Sequence, residues 1–241
     1  MMLPSFLDNL PLGKQVSVLG YDHHILGLEK PVGVRSHPNV DNRVDGDALL
    51  KLPFCSKSEA YRVNDSASLY LLHRLDAPTS GVILLSDDES VARTVRQIFE
   101  DHHLTKIYHA WVKGKHTGLH KTWRDRMRVV RTRGQLRSFV GSGDPAVCHA
   151  RCLQTTVVSG IPLSLLELTP ETGRTHQLRV QCASRYMPIV GDATYGDFNL
   201  NRAFAKAGKE KRLFLHARKI FFSLQGKPIS FEASLPESFS F

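Results

Sequence analysis

The chain is organised around a single stretch, Leu71-Leu72-His73-Arg74-Leu75-Asp76-Ala77-Pro78-Thr79-Ser80-Gly81-Val82-Ile83-Leu84-Leu85-Ser86. The apolar runs at its two ends, residues 69–72 and 82–85, predict two buried strands with a turn between them at Pro78 and Gly81. That turn carries Arg74 and Asp76. Charged side chains beside buried strands cost free energy unless they are paired or used. The stretch therefore predicts either a structural ion pair or a functional site.

The order of residues in this turn favours a functional site. His73-Arg74-Leu75-Asp76, followed by Thr79-Ser80-Gly81, resembles the signature of the RluA-type pseudouridine synthases, the RNA pseudouridylate synthase family. The resemblance implies that Asp76 is the catalytic residue. It also implies that Arg74 fills or braces the position that a flipped-out nucleotide leaves.

A second segment that resembles the family lies upstream, where Lys30-Pro31-Val32-Gly33 is followed by His37-Pro38. Taken alone, this segment would be an ordinary strand and turn. Many relatives carry a small RNA-binding domain of the S4 type ahead of this point, and about twenty residues are too few for such a domain. We therefore expect RNA recognition to come from the catalytic domain.

A tyrosine in a predicted strand gives the next candidate. Residues 104–114 alternate as a strand does, and a strand tyrosine usually belongs to the core. The pattern Lys106-x-Tyr108-x-Ala110-x-Val112-x-Gly114, however, resembles the family's second motif. The resemblance implies that Tyr108 is catalytic, lies against the target base and returns to the sheet beside the Asp76 turn.

The third motif of the family is matched by Thr172-Gly173-Arg174-Thr175-His176-Gln177-Leu178-Arg179. By this resemblance Arg179 pairs with Asp76 as a catalytic residue, and Arg174 and His176 line the RNA-facing cleft. The sequence leaves open which of the two arginines contacts Asp76. Thr175 is predicted to cap the helix that follows. Residues 188–196 also match the family and are predicted to form a structural turn.

The most basic segment is residues 121–137, which contain seven Lys or Arg residues and a single acidic residue, Asp125. Residues 132–135 predict a turn between two strands, hence a hairpin. A solvated charged hairpin is the alternative to a functional one. Because so little acid compensates the charge, we expect an arm that binds RNA phosphates through Arg126, Arg128, Arg131 and Arg133.

The composition limits the class of protein. With 241 residues, 41% of them hydrophobic, and a formal net charge of +9, the chain can bury a full core and favours a polyanionic partner, nucleic acid first. No apolar run reaches the ~18 residues of a membrane span, and no secretory signal is recognisable, so we expect a cytoplasmic protein. Zinc-site spacing is lacking among the cysteines, so we predict no metal, no cofactor and mostly buried free thiols at Cys55, Cys148, Cys152 and Cys182.

The hairpin signals and the family resemblance together predict a mixed α/β fold of the α+β type, with a largely antiparallel sheet and flanking helices. The resemblance also implies a central RNA-binding cleft. We expect an N-terminal arm at residues 1–24 and a pseudouridine synthase catalytic domain at residues 25–241. Residues 86–89 predict a capping box for a helix that runs to about Asp101. A hairpin is expected around residues 159–162, a short helix with loops at residues 41–68, and closing strands at residues 213–217, 220–224 and 229–233.

The resemblance implies an enzyme that isomerises specific uridines to pseudouridine in structured RNA. Large-subunit ribosomal RNA is the favoured target, because the tail from residue 191 looks slightly more like the ribosomal enzymes, and transfer RNA is the alternative. A catalytically idle RNA-binding protein on the same scaffold would not need Asp76, Tyr108 and Arg179 together. A hydrolase built on a His/Asp pair lacks a second matched carboxylate and a nucleophile elbow. We expect a monomer without an obligate protein partner or membrane contact.

Overall fold

The structure, a computed structural model, describes residues 9–132 and 135–241, and only the backbone of Thr132 and Gln135. The helices in this part of the chain are α1 (Glu89–Glu100), α2 (Gln177–Ala183) and α3 (Phe198–Lys206). The strands are β1 (Ser17–Asp22), β2 (Ile25–Lys30), β3 (Phe54–Cys55), β4 (Ala60–Arg62), β5 (Ser68–Leu71), β6 (Ser80–Ser86), β7 (Leu104–Lys113), β8 (His120–Thr132), β9 (Gln135–Val140), β10 (Asp144–Val158), β11 (Ile161–Pro170), β12 (Leu215–Leu224) and β13 (Lys227–Glu232). The fold is of the mixed α+β type and mostly antiparallel, which confirms the predicted class.

The chain divides into two compact units. Unit 1 consists of Met1–Leu104 and Lys219–Ser234, and unit 2 of Thr105–Arg218 and Leu235–Phe241. Each unit has an apolar core of its own. The predicted boundary between an N-terminal arm and a catalytic domain is a different division and stays a prediction. Strand β1, which lies within the predicted arm, pairs with β2.

Unit 1 is built around the two apolar runs of the opening stretch. Its strands follow the order β3-β4-β5-β6-β12, with β2 also paired to β6, β1 to β2, and β13 to β12. All of β6 is buried, as predicted, and Leu71 of β5 pairs with Leu85. Helix α1 is present as predicted, but its cap is Asp88 and not Ser86 of the predicted capping box, because Asp88 Oδ1 accepts the backbone N–H groups of Ser90 (2.8 Å) and Val91 (2.9 Å).

Unit 2 contains the two predicted hairpins. Its strands follow the order β12-β7-β11-β10-β8-β9. Thr132 pairs with Gln135 in the first hairpin and Val158 with Ile161 in the second. Trp111 of β7 is fully buried, and its indole N–H donates to the carbonyl of Phe239 at 3.0 Å. This hydrogen bond holds the segment around Phe239 against the core of unit 2.

The outer strands of the unit 2 sheet have two unlike faces. Paired residues point to the same side, and the side alternates along each strand. Trp123, Met127 and Ser138 are buried on the side against which α2 packs, and Gln181 of α2 donates to Asp125 there at 2.8 Å. We call this side the helix face. The intervening residues, including the exposed Arg124, point to the opposite side, which we call the open face.

Two local predictions are wrong. Residues 41–68 contain strands β3, β4 and the start of β5, but no helix, because Phe54 and Tyr61 pair across β3 and β4 and bury their rings. Thr175 does not cap α2. The residue before the helix is His176, in the left-handed conformation (φ 54°), and it makes no side-chain cap. Helix α3, capped by Asp197, was not predicted.

No helix within residues 9–132 and 135–241 combines the length and the hydropathy that crossing a membrane would take.

Candidate active site

The turn that carries Asp76 is fixed on both sides by hydrogen bonds of unit 1. The hydroxyl of Ser36 donates to the carbonyl of Leu75 (2.9 Å) and accepts the N–H of the same residue (3.0 Å). The N–H of Thr79 donates to the carbonyl of Asp76 at 2.9 Å. Asp76 itself is half-buried. Its backbone is therefore held while its side chain lies at the edge of the core.

A fully buried lysine holds the other side of the turn. Lys30 Nζ donates to the carbonyls of Val34 (2.7 Å), Pro31 (3.1 Å) and Ala77 (3.1 Å). The N–H of Gly33 also donates to the Ala77 carbonyl at 2.8 Å, from a backbone with φ 86° that suits glycine. The upstream Lys-Pro-x-Gly segment thus supports the turn that carries Asp76, a role that was not predicted for Lys30.

Arg74 is exposed and points away from the core of unit 1. Its Nη1 lies 3.3 Å from Nε2 of His37, whose ring stacks on Phe54 with 4.8 Å between centroids. His37 Nδ1 is 2.8 Å from the carbonyl of Pro38, so Nδ1 donates there and Nε2 accepts from Arg74. His73, next to Arg74 in the motif, has a structural contact instead, because its Nε2 accepts the N–H of Leu84 at 3.2 Å.

In unit 2 the predicted tyrosine lies on the helix face. Tyr108 is half-buried in β7, pairs with Leu168 of β11 and packs against the core cluster. Lys106 is on the same face two residues earlier and is 9% exposed. Its Nζ lies 3.7 Å from the place that a side chain on Gly173 would occupy. Burial lowers the pKa of Lys106 to about 8.

The loop before α2 is held by residues that are distant in sequence. His176 Nδ1 lies 2.9 Å from the hydroxyl of Tyr195, and that hydroxyl accepts the N–H of Ser138 at 2.9 Å. The hydroxyl of Ser138 in turn donates to the carbonyl of Thr175 at 2.6 Å. Because the tyrosine hydroxyl accepts from Ser138, its own proton is directed to His176. The basic hairpin and the third motif are joined at this point.

Arg179 forms a buried, two-pronged ion pair. Its Nε and Nη2 donate to the Asp192 carboxylate at 2.8 and 2.9 Å, and the two side chains are 6% and 1% exposed. Burial by itself raises the pKa of Asp192. The hydrogen bond and charge of Arg179, with the N–H groups of Tyr195 and Thr194, outweigh that effect and hold the pKa below its usual value. The predicted turn at residues 188–196 is built on this carboxylate.

Arg174 is half-buried and forms a hydrogen bond with strand β10. Its Nε donates to the carbonyl of Pro145 at 3.0 Å, and its N–H donates to Gln177 at 3.0 Å. Within unit 2 the third motif lies on the helix face of the sheet, as Tyr108 does. Asp76 and Arg74 belong to unit 1. The predicted contact of Asp76 with Arg179 or Arg174 stays a prediction.

The four predicted phosphate-binding arginines do not share one side of the hairpin. By the strand register, Arg126 and Arg128 point to the open face, and Arg131, paired with Leu136, points to the same side as Met127. Arg126, Arg128 and Arg131 are exposed. Arg133 lies outside the described residues.

The cysteines are free thiols, as predicted, with Cys148 and Cys182 buried and the other two half-buried. Burial raises the pKa of the Cys148 thiol to about 12, which keeps it protonated and unreactive. No group of three or more His, Cys, Asp or Glu residues in the described part of the chain is placed to hold a metal ion.

The fold is shared with the structure of human RNA pseudouridylate synthase domain containing 1, which matches with a TM-score of 0.71 at 22% identity, over 98% of this chain and 87% of that chain. The chain belongs to the RNA pseudouridylate synthase family, whose sequence model matches residues 24–184.

Two curated relatives are named for different RNA substrates. The tRNA pseudouridine synthase C of Pectobacterium carotovorum subsp. carotovorum is 30% identical over 90% of this chain and 58% of its own length. The ribosomal large subunit pseudouridine synthase D of Zymomonas mobilis subsp. mobilis is 28% identical over 98% of this chain and 74% of its own length. The chain thus spans little more than half of the first of these relatives.

We predict that Lys106→Met changes the pH dependence of stability. Between pH 8 and pH 10.5 the unfolded chain keeps a lysine proton that the folded protein has lost, so the stability of the wild type rises with pH in this window. The free energy of unfolding of Lys106→Met relative to wild type should therefore fall by about 2–3 kcal/mol between pH 7 and pH 10. Urea denaturation at both pH values measures this difference.

The exposed Lys115→Met serves as the matched control and should show the same pH dependence as the wild type. A stability difference between Lys106→Met and wild type that is equal at the two pH values would contradict the lowered pKa.

We also predict that Arg179→Met lowers the free energy of unfolding by about 3–5 kcal/mol, because it leaves Asp192 buried and unpaired. The double variant Arg179→Met/Asp192→Leu should recover most of that loss, since it removes both charges. Arg93→Met breaks an exposed helix pair with Glu89 and should cost less than about 1 kcal/mol. Chemical denaturation measures all three variants, and a double variant no more stable than Arg179→Met would contradict the role of the pair.

Proposed function

We propose that this protein is an RNA pseudouridine synthase that isomerises specific uridines in structured RNA. The observation that carries the proposal is the fixed turn around Asp76. Ser36 holds the backbone of Leu75, and Lys30 holds the carbonyl of Ala77. A catalytic carboxylate needs a fixed position relative to its substrate. An idle RNA-binding protein on the same scaffold has no such requirement for a half-buried aspartate.

The reaction breaks the N1–C1′ bond of the uridine, turns the base and forms a C5–C1′ bond. The proton lost from C5 is balanced by the one gained at N1, so the isomerisation involves no redox change. Asp76 assists the cleavage, either by attacking C1′ or by stabilising a glycal route. Tyr108, packed against the base, accepts the C5 proton or positions the group that accepts it.

Arg179 is proposed to pair with Asp76. The proposal follows its position in the third motif, and the two bonds to Asp192 support it because they fix the guanidinium in one orientation. Arg174 and His176 would then line the side that faces the RNA.

The target base is inaccessible in a helix and must be flipped out. Arg74 is proposed to take the position that the base leaves. Its exposure and its contact with the stacked ring of His37 support this role, because an exposed guanidinium held at one nitrogen is aimed and still able to stack.

The RNA target is proposed to be large-subunit ribosomal RNA or transfer RNA. The tail from residue 191 favours the ribosomal enzymes, whereas the relative from Pectobacterium is named for transfer RNA. We propose that the enzyme acts in the cytoplasm as a monomer, through residues 25–241. Arg126, Arg128 and Arg131 are proposed to contact RNA phosphates.

The test is pseudouridine mapping of total RNA from cells that lack the gene, complemented with wild type, Asp76→Ala or the exposed control Asp65→Ala. We expect at least one site to disappear on deletion and to return with wild type and Asp65→Ala, but not with Asp76→Ala. That result also names the substrate. Restoration by Asp76→Ala, or the same map with and without the gene, would overturn the proposal.

Tyr108→Phe should bind RNA as tightly as wild type but turn over roughly 100-fold more slowly, the usual contribution of a proton-transferring group. Single-turnover kinetics on the mapped RNA separate the two effects. The control is Tyr186→Phe, whose side chain is 92% exposed. Unchanged turnover by Tyr108→Phe would remove its hydroxyl from the mechanism.

A further inference from the structure

The open face of the unit 2 sheet carries a row of arginines. Arg124, Arg126 and Arg128 are alternate residues of β8, so their side chains point to the same side, and all three are exposed. Arg137 of β9 joins them, because it pairs with Val130, the next residue of that row. The row therefore extends from the base of the hairpin towards its tip.

The acidic residue of this segment is directed elsewhere. Asp125 points to the helix face, where it accepts from Gln181 (2.8 Å) and from Arg185 (2.9 Å). Its carboxylate is thus engaged on the far side of the sheet from the arginine row. The acidic side chains of the open face lie on its inner part, where Glu171 is 2.6 Å from His149 and Glu167 pairs with Arg151 at 2.8 Å. Positive charge is therefore concentrated on the outer half of this face.

Apolar side chains are interleaved with the arginines. Phe139 pairs in register with Arg128 and is 44% exposed, and Val130 pairs with Arg137 and is 37% exposed. This combination suits an unpaired RNA strand, because the guanidinium groups can bind its phosphates and the exposed ring of Phe139 can stack on a base. It does not suit an acidic protein surface as well, because an exposed ring gains most by stacking on a base.

The helix face of the same hairpin differs in character. Val129, Leu136 and Val140 are exposed there with Arg131. Ser138 on that face is bonded to Thr175 and Tyr195 of the third-motif region. The hairpin thus presents a mainly apolar side next to the motif residues and a basic side opposite to them.

We propose that the open face is a second RNA-binding surface, which holds the backbone of a strand segment other than the one that presents the target uridine. The inference rests on the proposed function. The strands of the sheet separate the two faces, so one nucleotide cannot contact Arg126 and the helix face at once. The substrate RNA therefore passes on both sides of the hairpin, with phosphates on the open face and the target segment on the helix face.

The first test measures RNA affinity in the inactive Asp76→Ala background, with deproteinised large-subunit ribosomal RNA and bulk transfer RNA as probes. The variant Arg124→Gln/Arg126→Gln/Arg128→Gln is compared with Lys14→Gln/Lys57→Gln/Lys227→Gln, which removes equal charge from exposed lysines of unit 1. We expect the arginine variant to bind at least roughly tenfold more weakly, and the slope of log K against log salt to shrink by about 2. Equal weakening by both variants, or no weakening, would overturn the proposal.

The second test distinguishes a separate segment from the target segment. A photo-reactive benzophenone amino acid replaces Arg128 on the open face or Leu136 on the helix face, and the cross-linked nucleotides are mapped. We expect the two positions to mark nucleotides that are not adjacent in the RNA sequence. Cross-links from both positions to the same nucleotides, or none from position 128, would overturn the second surface.

These tests do not depend on turnover. If the wild type forms no pseudouridine while the arginine variant still loses affinity and the cross-links still separate, the proposed function fails and the binding surface stands. If mapping proves the activity but the affinities are equal, the surface alone is refuted.

Discussion

The candidate site depends on one buried cation. Lys30 has no exposed surface, and an ammonium group in such a place is tolerated only when all of its donors are used. Its three donors meet three carbonyls, two from its own loop and one from Ala77, the residue after Asp76. Two stretches more than forty residues apart are thereby joined at a single nitrogen. The positions of the loop and of the residue after Asp76 therefore depend on the same ammonium group.

In unit 2 the buried cation Arg179 is compensated by a carboxylate instead of by carbonyl groups. Arg179 is fixed by Asp192, and Asp192 also accepts two N–H groups of the turn that follows it. Gly191 before it is required, because a Cβ there would lie 1.6 Å from the carbonyl oxygen of Arg212. The motif arginine is thus held by a turn further along the chain. Loss of Arg179 removes both a candidate catalytic group and a structural one.

What the sequence could predict follows from how local each signal is. The apolar runs of β5 and β6, helix α1 and the hairpin that turns between Val158 and Ile161 are encoded by adjacent residues, and all appear in the structure, although the cap of α1 is Asp88 and not the predicted Ser86. Helix α3 had a readable signal in Asp197, which accepts two N–H groups of its first turn, and was overlooked. Strands of two or three residues, such as β3 and β4, are too short for any period to show.

The predictions that failed depend on distant partners. Thr175 is a good cap by local rules, but Ser138 binds its carbonyl and Tyr195 binds the next side chain, so the chain enters α2 through a left-handed His176. No role was predicted for Lys30, because its burial depends on three carbonyl partners that the local sequence does not reveal. The basic segment was correctly predicted as a hairpin. Alternate residues of a strand point to opposite faces, so the sequence already indicated that the arginines of this hairpin are divided between two faces. The prediction instead treated them as one phosphate-binding arm.

Three of the buried cations in the described part of the chain, Lys30, Lys106 and Arg179, are compensated to different degrees. Arg179 has a carboxylate, Lys30 has carbonyl dipoles, and no hydrogen bond to Lys106 Nζ is found within the described part of the chain. Their uncompensated charge increases in the same order, and Lys106 lies beside Gly173 of the third motif. A desolvated cation is stabilised when an anion reaches it, because the attraction between the two is then little screened by water. Burial lowers the pKa of Lys106 because it disfavours the charged form, so the charged side chain costs stability at neutral pH. An anion beside Gly173 would offset that cost.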